Sequence, residues 1–435
     1  MYGMDSVWTR TARLPRFKRL EGDLKTGVLV IGGGVTGILC TWMLRQAGVE
    51  CALVEAGRVC GGTTGGTTGK ITAQHGLVYH RLAREFGWDT ARLFWQAQEA
   101  ALARYREMCR EIDCDFEERD NVVYSLDDPL ALEKEMDALV RIGAPAVFRR
   151  ELPLPFSTAG AVALPRQAQF HPLKFLSAIV RDLPVYERTR VLEWMPGRVR
   201  AERGTIQAEK VIAATHFPFI ANHGSYFLKL YQSRSYVLAL ENAADVGGMY
   251  VDASAAGLSF RNYGDILLLG GGGRRTGKRG GGRQALESTA ERCYPRAETV
   301  CRWAAQDCMS LDGAAYVGQY SRRTPGLYTA SGFNKWGMTG AMAAAALLTD
   351  LALGRENPYT RVFDPSRTIL RRQLAVNVLE SAVNLLTPTV PRCPHMGCAL
   401  KYNPREHTWD CPCHGSRFTE DGTVLDGPAN GNKRM

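Results

Sequence analysis

The chain has 435 residues, of which 45% are hydrophobic and 23% are charged, and its net charge is +10. This length and balance predict a globular protein of two or three domains. The 54 Lys and Arg residues are spread along the chain, so we expect no nucleic-acid partner, and no apolar run is long enough to predict a membrane span.

The N-terminal segment and the cysteines predict a location in the cytoplasm. The segment MYGMDSVWTRTARLPRFKRLEGDLK lacks the apolar centre and the small-residue cleavage site of a secretory signal. Twelve cysteines in a reducing compartment argue against a disulfide scaffold. Eight of them are scattered, whereas four are bunched near the end of the chain and call for a chemical reason.

The first predicted unit is a strand, a turn, a helix and a second strand. GVLVIGGG has the continuous apolar character of a buried parallel strand, VTGILCTWMLRQAG is the helix and ECALVEAG is the second strand. At the turn, Gly32, Gly34 and Gly37 fit G-x-G-x-x-G. Glycines at these positions permit a tight turn, the approach of a pyrophosphate and close helix packing, so the unit predicts a dinucleotide site.

Polar groups around this turn are predicted to bind the dinucleotide. The helix starts at Val35 and Thr36, where free N–H groups and the positive end of the helix dipole favour phosphate. Glu55 ends the second strand, where a carboxylate can accept hydrogen bonds from ribose hydroxyls.

A Gly/Thr loop, GGTTGGTTGKIT, follows the second strand. It fails as a phosphate-binding P-loop, because Thr64 stands six residues before Lys70 and Ile71 follows it. A backbone-rich loop at this place suits a wall against a flavin and its diphosphate. The candidate contacts in the loop are Thr63, Thr64, Thr67, Thr68 and Lys70.

The rest of the body alternates between helical and strand-like patterns. Residues 77–150 and residues 284–305 are predicted to be largely helical, and residues 228–269 alternate as strands do. The strand GLYTASG precedes a Gly/Ala-rich helix, and a basic linker leads to the cysteine-rich tail.

Four of these segments resemble the FAD-binding segments of the D-amino-acid oxidase/glycine oxidase superfamily: VLVIGGGVTGILC, VEAGRVCGGTTGGTTGKITAQHG, VIAATHFP and SGFNKWGMTG. The resemblance implies an α/β fold with FAD as cofactor. It implies a Rossmann-like FAD-binding domain from residues 26–76, 151–220 and 321–360, interleaved with an α+β substrate domain from residues 77–150 and 221–320.

The same resemblance assigns further FAD contacts. It implies that Val191 meets the adenine through its backbone and that Ala214 lies behind the cofactor. It also implies that amides at the start of a helix face the flavin pyrimidine, in a segment whose candidate residues are Gly332, Phe333, Lys335, Trp336, Gly337, Met338 and Thr339.

The tail contains CPHMGC and, further on, CPCHGS. These two motifs contain four cysteines and two histidines: Cys393, His395, Cys398, Cys411, Cys413 and His414. Four of the six could bind zinc, whereas an iron–sulfur cluster is the alternative that accounts for all six. The tail resembles the Rieske family, most closely the disulfide-containing type. That resemblance implies that Cys393, His395, Cys411 and His414 hold a [2Fe–2S] cluster and that Cys398 pairs with Cys413.

The tail departs from the Rieske pattern in two ways. Residues 361–390 are predicted as a linker, so the domain of residues 391–435 lacks most of its base sheet and forms a small cluster-binding knob. Ser416 stands where the family donates a hydrogen bond to a bridging sulfide, but Phe418 stands where many high-potential members have tyrosine.

The two predicted centres together favour an FAD-dependent dehydrogenase. We expect it to oxidise an amine or amino acid and to exchange electrons with an external redox carrier through the Rieske cluster. One alternative is an oxidase that uses O2 and has a structural tail with zinc, and another is a non-enzymatic redox or interaction protein. Candidate catalytic residues are His75, Arg275, Asp307 and Asp312, the polar residues nearest the presumed flavin segments.

Overall fold

The structure, a computed structural model, describes residues 5–220, 223–254, 257–279, 282–388 and 391–432. The first part of the chain contains, in order, α1 (Val7–Thr11), β1 (Leu24–Ile31), α2 (Val35–Gln46), β2 (Cys51–Val54), a 3-10 helix (Thr63–Gly66), β3 (Lys70–Ile71), α3 (Tyr79–Phe86), α4 (Trp88–Met108), β4 (Glu117–Ser125), α5 (Pro129–Ile142), β5 (Val147–Arg149), β6 (Gly160–Gln169) and α6 (Pro172–Val180).

The central part contains β7 (Val185–Tyr186), β8 (Val191–Met195), β9 (Arg198–Ala201), β10 (Gly204–Ala213), α7 (Tyr226–Lys229), β11 (Leu230–Glu241), β12 (Met249–Asp252), β13 (Ser259–Tyr263), β14 (Ile266–Arg275), α8 (Arg283–Cys293) and β15 (Glu298–Ser310). The last part contains β16 (Tyr316–Gln319), β17 (Leu327–Ser331), α9 (Gly337–Ala352), α10 (Thr360–Phe363), α11 (Arg372–Leu386), β18 (Lys401–Asn403), β19 (Thr408–Asp410), β20 (Arg417–Thr419) and β21 (Val424–Asp426).

An eight-stranded sheet carries the predicted strand–helix–strand unit. Its main path runs β16–β17–β10–β1–β2–β7, and β9 and β8 extend it from β10. The strands β1, β2, β10, β17 and β7 pair in parallel, which confirms the predicted unit. The end of β1 is buried on both faces, as its apolar sequence requires. On one face α2 packs against α9, whose small residues allow a close approach.

A nine-stranded sheet forms the second layer of the body. Its main path runs β15–β11–β14–β13–β12–β4–β6–β3, and β5 pairs with β6. It takes β3 and β6 from segments that the sequence assigns to the FAD-binding domain. The eight-stranded sheet in turn takes β16 from the segment assigned to the substrate domain. Three strands, β3, β6 and β16, thus belong to a different sheet from the one to which the expected domain boundaries assign them.

Two stretches that the sequence predicts as helical contain long strands. β4 lies in the middle of residues 77–150 and pairs with β6, and β15 begins within residues 284–305 and pairs with β11 over almost its whole length. The helical prediction was wrong at both places. Long-range pairing outweighs the local helix preference of their Ala, Glu and Gln residues.

The tail has a small sheet of its own. Four strands of three residues each, β18–β19–β20–β21, form an antiparallel sheet beside the cysteine-rich loops. Within the segment expected to be a linker, most residues after Arg371 form α11. Residues 433–435 of the expected tail domain lie outside the described residues. None of the described helices is both long and apolar enough to cross a bilayer.

A buried ionic network joins this small sheet to the body. Glu406 in the tail binds Arg234 on β11 at 2.5 Å, Arg417 on β20 at 2.7 Å, and the hydroxyl of Tyr236 at 2.6 Å. Burial by itself would raise the pKa of Glu406, but the charges of Arg234 and Arg417 outweigh it and lower the pKa to about 2. The charged carboxylate therefore holds the tail on the body.

The lowered pKa of Glu406 predicts that attachment of the tail depends on pH. Because its pKa is lower in the folded chain than the ordinary value of 4.5, its contribution is complete above pH 4.5 and is lost as the pH falls towards 2. We expect Glu406→Gln to destabilise the attached tail by about 3 kcal/mol at neutral pH. Hydrogen–deuterium exchange of β18–β21 measures this loss. The control Glu420→Gln, at an exposed carboxylate, should exchange as the wild type does, and equal protection in both variants would contradict the prediction.

Candidate cofactor site and metal centre

A cavity of about 1110 Å³ lies between the two sheets of the body. It exceeds the usual range for a small-ligand pocket, as a cavity for a dinucleotide should. Six chain segments contribute residues that line the cavity: residues 31–36, 55–68, 189–191, 214–217, 333–338 and 424–430. Most of the predicted FAD contacts therefore come together around one space, although they are far apart in sequence.

The glycine turn leaves no room for side chains. Gly32 has a φ of +112°, and a Cβ there would lie 2.4 Å from the carbonyl oxygen of Ala214. A Cβ on Gly37 would lie 1.9 Å from the carbonyl oxygen of Gly32. The turn thus packs against the end of β10, and α2 begins directly after Gly34 with its N-terminus at the cavity. This is the cradle that a pyrophosphate requires.

Side chains from neighbouring loops brace this turn. The N–H of Val35 donates to Thr64 Oγ1 at 3.0 Å. The carboxylate of Glu55 accepts from the N–H of Gly33 at 2.7 Å and of Gly57 at 2.6 Å. Burial raises the pKa of Glu55, and these two N–H groups oppose the rise. Glu55 therefore holds the turn and faces the cavity at the position predicted for a ribose contact.

The Gly/Thr loop lines the cavity with all five of its predicted residues. Thr63 Oγ1 donates to the carbonyl of Gln306 at 2.7 Å, which ties the loop to β15. Lys70 donates to Ser259 Oγ at 2.6 Å. Burial, with the nearby charge of Arg261, lowers the pKa of Lys70 to about 7. Lys70 is thus a buried amine that can change its protonation near neutral pH.

The segment before α9 contributes most of the residues predicted for the flavin. Phe333, Lys335, Trp336, Gly337 and Met338 line the cavity, together with Val191 and Ala214 from other segments. Three of the predicted FAD contacts, Gly37, Gly332 and Thr339, are not among the residues that line the cavity.

Two of the four catalytic candidates, His75 and Asp307, line the cavity. His75 stacks on Trp336 at 5.2 Å between ring centroids, and its Nε2 lies 2.9 Å from Thr339 Oγ1. Burial lowers the pKa of His75 to about 3, so the ring is neutral and positions the start of α9. Burial raises the pKa of Asp307, and the charge of Lys335 opposes the rise.

The other two candidates lie elsewhere and have structural partners. Arg275 donates to the carbonyls of Pro412 at 2.8 Å and Cys413 at 2.9 Å, so it holds the second cysteine loop of the tail. Asp312 forms a buried two-point ion pair with Arg367, at 2.7 and 2.8 Å. Neither residue lines the cavity, and a catalytic role for them stays a prediction.

No motif in the sequence predicts that residues 424–430 form part of the cavity. Residues 424–430 line it, and Asn430 Nδ2 donates to the carbonyl of Val191 at 3.0 Å. Phe217 also lines it, directly after the predicted Ala214 segment. The tail therefore forms one wall of the space predicted for FAD.

The four tail cysteines and the two histidines predicted to bind the cluster, His395 and His414, gather at one place. The sulfurs of Cys398, Cys411 and Cys413 all lie within 4.8 Å of one another, and the thiol of Cys393 is in hydrogen-bond contact with Cys411. No bond joins Cys398 to Cys413, which are thiols here, so the disulfide stays a prediction.

The two histidines show that the site suits a metal. The rings of His395 and His414 lie 5.0 Å apart at 85°, and Nδ1 of each ring is buried without a hydrogen-bond partner. His414 Nε2 lies 3.0 Å from the carbonyl of Phe227, which fixes the proton on Nε2 and leaves Nδ1 as a free ligand atom. Burial lowers the pKa of His395 to about 3 and of His414 to about 4, so both rings are neutral, as metal ligands must be.

A chain of buried side chains, the glutamine relay, joins the second cysteine loop to the body. The amide of Gln232 donates to the carbonyls of His414 at 2.9 Å and Gly427 at 2.8 Å. The amide of Gln306 donates to Gln232 Oε1 at 2.7 Å and to the carbonyl of Gly415 at 2.9 Å. Thr276 completes the relay by donating to Gln306 Oε1 at 2.8 Å.

Comparison with protein families finds two matches in this chain. Residues 27–351 match the family of FAD dependent oxidoreductases. Residues 365–434 match the Rieske [2Fe-2S] domain, and this match begins before α11, inside the segment that we expected to be a linker.

Individual relatives agree with both matches. A protein of Bacillus subtilis (strain 168), YhfW, which is named as a Rieske 2Fe-2S iron-sulfur protein, is 31% identical over 98% of this chain and 96% of its own length. Gamma-glutamylputrescine oxidoreductase of Escherichia coli (strain K12) is 27% identical over 46% of this chain and 50% of its own. Glycine oxidase from Geobacillus kaustophilus has the same fold as the body, with a TM-score of 0.66 at 21% identity over 80% of this chain and all of its own.

The crowded glycine turn predicts a loss of FAD in Gly37→Ala. The added Cβ would collide with the carbonyl oxygen of Gly32, so the turn must shift away from the pyrophosphate. We expect at least a tenfold rise in the FAD dissociation constant, measured by flavin fluorescence on release. The control is Gly431→Ala, where a Cβ would meet nothing within 4 Å. Unchanged affinity in Gly37→Ala would contradict this role of the turn.

The position of Phe418 beside the tail cysteines predicts that a substitution there changes the reduction potential of the cluster. Its ring is fully buried in the apolar group that contains the four tail cysteines. We expect Phe418→Tyr to raise the reduction potential, because a hydroxyl that donates to a cysteine sulfur stabilises added negative charge. A redox titration followed by electron paramagnetic resonance measures the potential, and Tyr402→Phe at an exposed tail position is the control. Equal potentials for Phe418→Tyr and the wild type would contradict it.

Proposed function

The chain belongs to the family of FAD dependent oxidoreductases and ends in a Rieske [2Fe-2S] domain, and from this premise we propose that it is a dehydrogenase. Its substrate is an amine or an amino-acid-like compound, and the Rieske centre passes the electrons to or from an external carrier. A location in the cytoplasm, predicted from the sequence, is part of the same proposal. FAD and a [2Fe–2S] cluster are the cofactors of this family and domain.

The observation that carries the proposal is the contact between the cavity and the cluster loops. The ring of Phe217 lines the cavity and lies 6.2 Å from the ring of His395 and 6.1 Å from that of His414. One aromatic side chain thus lies against the cavity and against both histidines predicted to bind the cluster. When bound, FAD accepts two electrons from a substrate and a Rieske cluster carries one at a time.

The rigid attachment of the second cysteine loop supports the same conclusion. The glutamine relay and Arg275 hold the backbone of this loop from the body side, and Phe227 fixes the ring of His414. A tail that only stabilised the chain would not need both histidine rings against Phe217, a side chain that lines the cavity. An oxidase that reacts with O2 would not need a second centre at all.

The chain's own residues also suit a small amino compound. Lys70 and Asp307 line the cavity and have pKa values moved towards neutrality by burial, so either group can hold or release a proton beside a bound substrate. The stacked rings of His75 and Trp336 form a flat part of the cavity wall. We propose that the predicted FAD contacts that line the cavity hold the cofactor and that these groups orient the substrate.

The test is an anaerobic screen of amines and amino acids on the purified, loaded protein. A substrate should bleach the flavin absorbance and should then produce the paramagnetic signal of a reduced Rieske cluster. The matched control is Cys411→Ser, which removes a predicted iron ligand and should bleach without producing the signal.

Each other outcome rejects part of the proposal. Bleaching of the wild type with a cluster that stays oxidised would indicate an oxidase with a structural tail. Bleaching by none of the amino compounds would reject the substrate class. Zinc in place of iron and sulfide in the purified protein would reject the electron path.

A further inference from the structure

The helix α11 has its polar side against the protein and its apolar side towards solvent. Asn377 is buried and donates to the carbonyl of Leu228 at 3.1 Å, and the backbone carbonyl of Asn384, also buried, accepts from the N–H of Ala399 at 2.9 Å. The rest of its surface exposes six large aliphatic residues. Four of them form the α11 stripe: Val376 (48% exposed), Leu379 (65%), Val383 (55%) and Leu386 (82%). Val378 (46%) and Leu385 (43%) lie beside the stripe. This is the reverse of an ordinary surface helix.

The spacing of the α11 stripe matches the seam of a two-helix contact. Its members are three, four and three residues apart, so they occupy successive a and d positions of a heptad. Valine stands at both a positions and leucine at both d positions, a combination that favours pairs of helices. Ala375 and Ala382, which precede the two valines, are small and allow another helix to approach closely.

The charges around the stripe favour a second copy of this chain as the partner. The charged residues of α11 are Arg372, at its first position, and Glu380, which pairs with Lys278 of its own chain. None of the four stripe positions is charged, so two copies can meet along the stripe although each has a net charge of +10.

Other partners fit the stripe less well. A helix that lies on an anionic membrane carries Lys or Arg along its polar side and aromatic residues at the interface, whereas α11 has a single arginine, Arg372 at its first position, and no aromatic residue. A transient electron carrier is steered by charges, which the stripe lacks.

We propose that this protein forms a two-fold dimer in which the α11 stripes of two copies pack against each other. A helix of 15 residues is only about 22 Å long, and a stable interface buries about 1,200–2,000 Å² in total. The contact therefore extends past the helix ends, where Leu370 and Met396 are exposed. This inference does not depend on the proposed function.

The dimer contact would support the metal centre from behind. The polar side of α11 touches both cysteine loops: Asn384 binds the backbone of Ala399 in the first loop, and the carbonyl of Glu380 lies 3.9 Å from the sulfur of Cys413 in the second. Covering the stripe fixes the helix on which both loops rest.

Sedimentation equilibrium of the full-length, cofactor-loaded protein tests the dimer. We expect the wild type to have twice the chain mass of 48.0 kDa at micromolar concentration. The double variant Leu379→Asp, Val383→Asp should raise the dimer dissociation constant by roughly 30-fold or more. The control is Val140→Asp on α5, a valine of similar exposure, 58%, which should stay dimeric.

Two further measurements keep the outcome clear. Thermal unfolding and cofactor content show whether the double variant is folded, and Leu386→Lys at the most exposed position is a milder change with the same expected direction. A wild type that stays monomeric up to its solubility limit overturns the proposal, as does a folded double variant that dimerises normally. A monomer that sediments with vesicles of phosphatidylglycerol and phosphatidylcholine also overturns it, in favour of a membrane surface.

Discussion

The two halves of the molecule depend on the glutamine relay. Two buried amides lie where the nine-stranded sheet meets the second cysteine loop, and a buried amide is costly unless its hydrogen bonds are made. Gln232 and Gln306 satisfy each other and also bind backbone carbonyls of the loop. Separation of the tail would break the hydrogen bonds from both amides to the tail at once, so the relay favours the tail and the body being held as one unit.

This dependence explains how so small a tail can be ordered. Four strands of three residues bury little apolar surface, and domains of this size usually need additional support. Here the body supplies it through the relay, Arg275 and the Glu406 network. The tail in turn supports the body, because Asn430 binds Val191 and residues 424–430 form a wall of the cavity. A cofactor bound in the cavity would therefore touch both parts.

The features that could be predicted from the sequence are those set by neighbouring residues. The glycine turn, the strands around it and the cysteine loops follow from short motifs, and the Gly/Thr loop lines the cavity as expected. The strand β15 could not be predicted, because its Ala and Gln residues favour a helix locally and only pairing with β11 makes it a strand. The contacts of Arg275 could not be predicted for the same reason, since its partners Pro412 and Cys413 stand more than 130 residues later in the chain. The exposed side of α11 is visible in the sequence as an amphipathic pattern, but which side faces solvent depends on the tail that covers its asparagines.

The position of residues 424–430 has a consequence for biosynthesis. A ribosome synthesises a chain starting from its N-terminus, so the glycine turn and both sheets can fold while residues 424–430 are still being translated. The body is thus open on that side until residues 424–430 have been translated. Delivery of the cofactor into the nascent body is unobstructed until then, and these residues complete the enclosure.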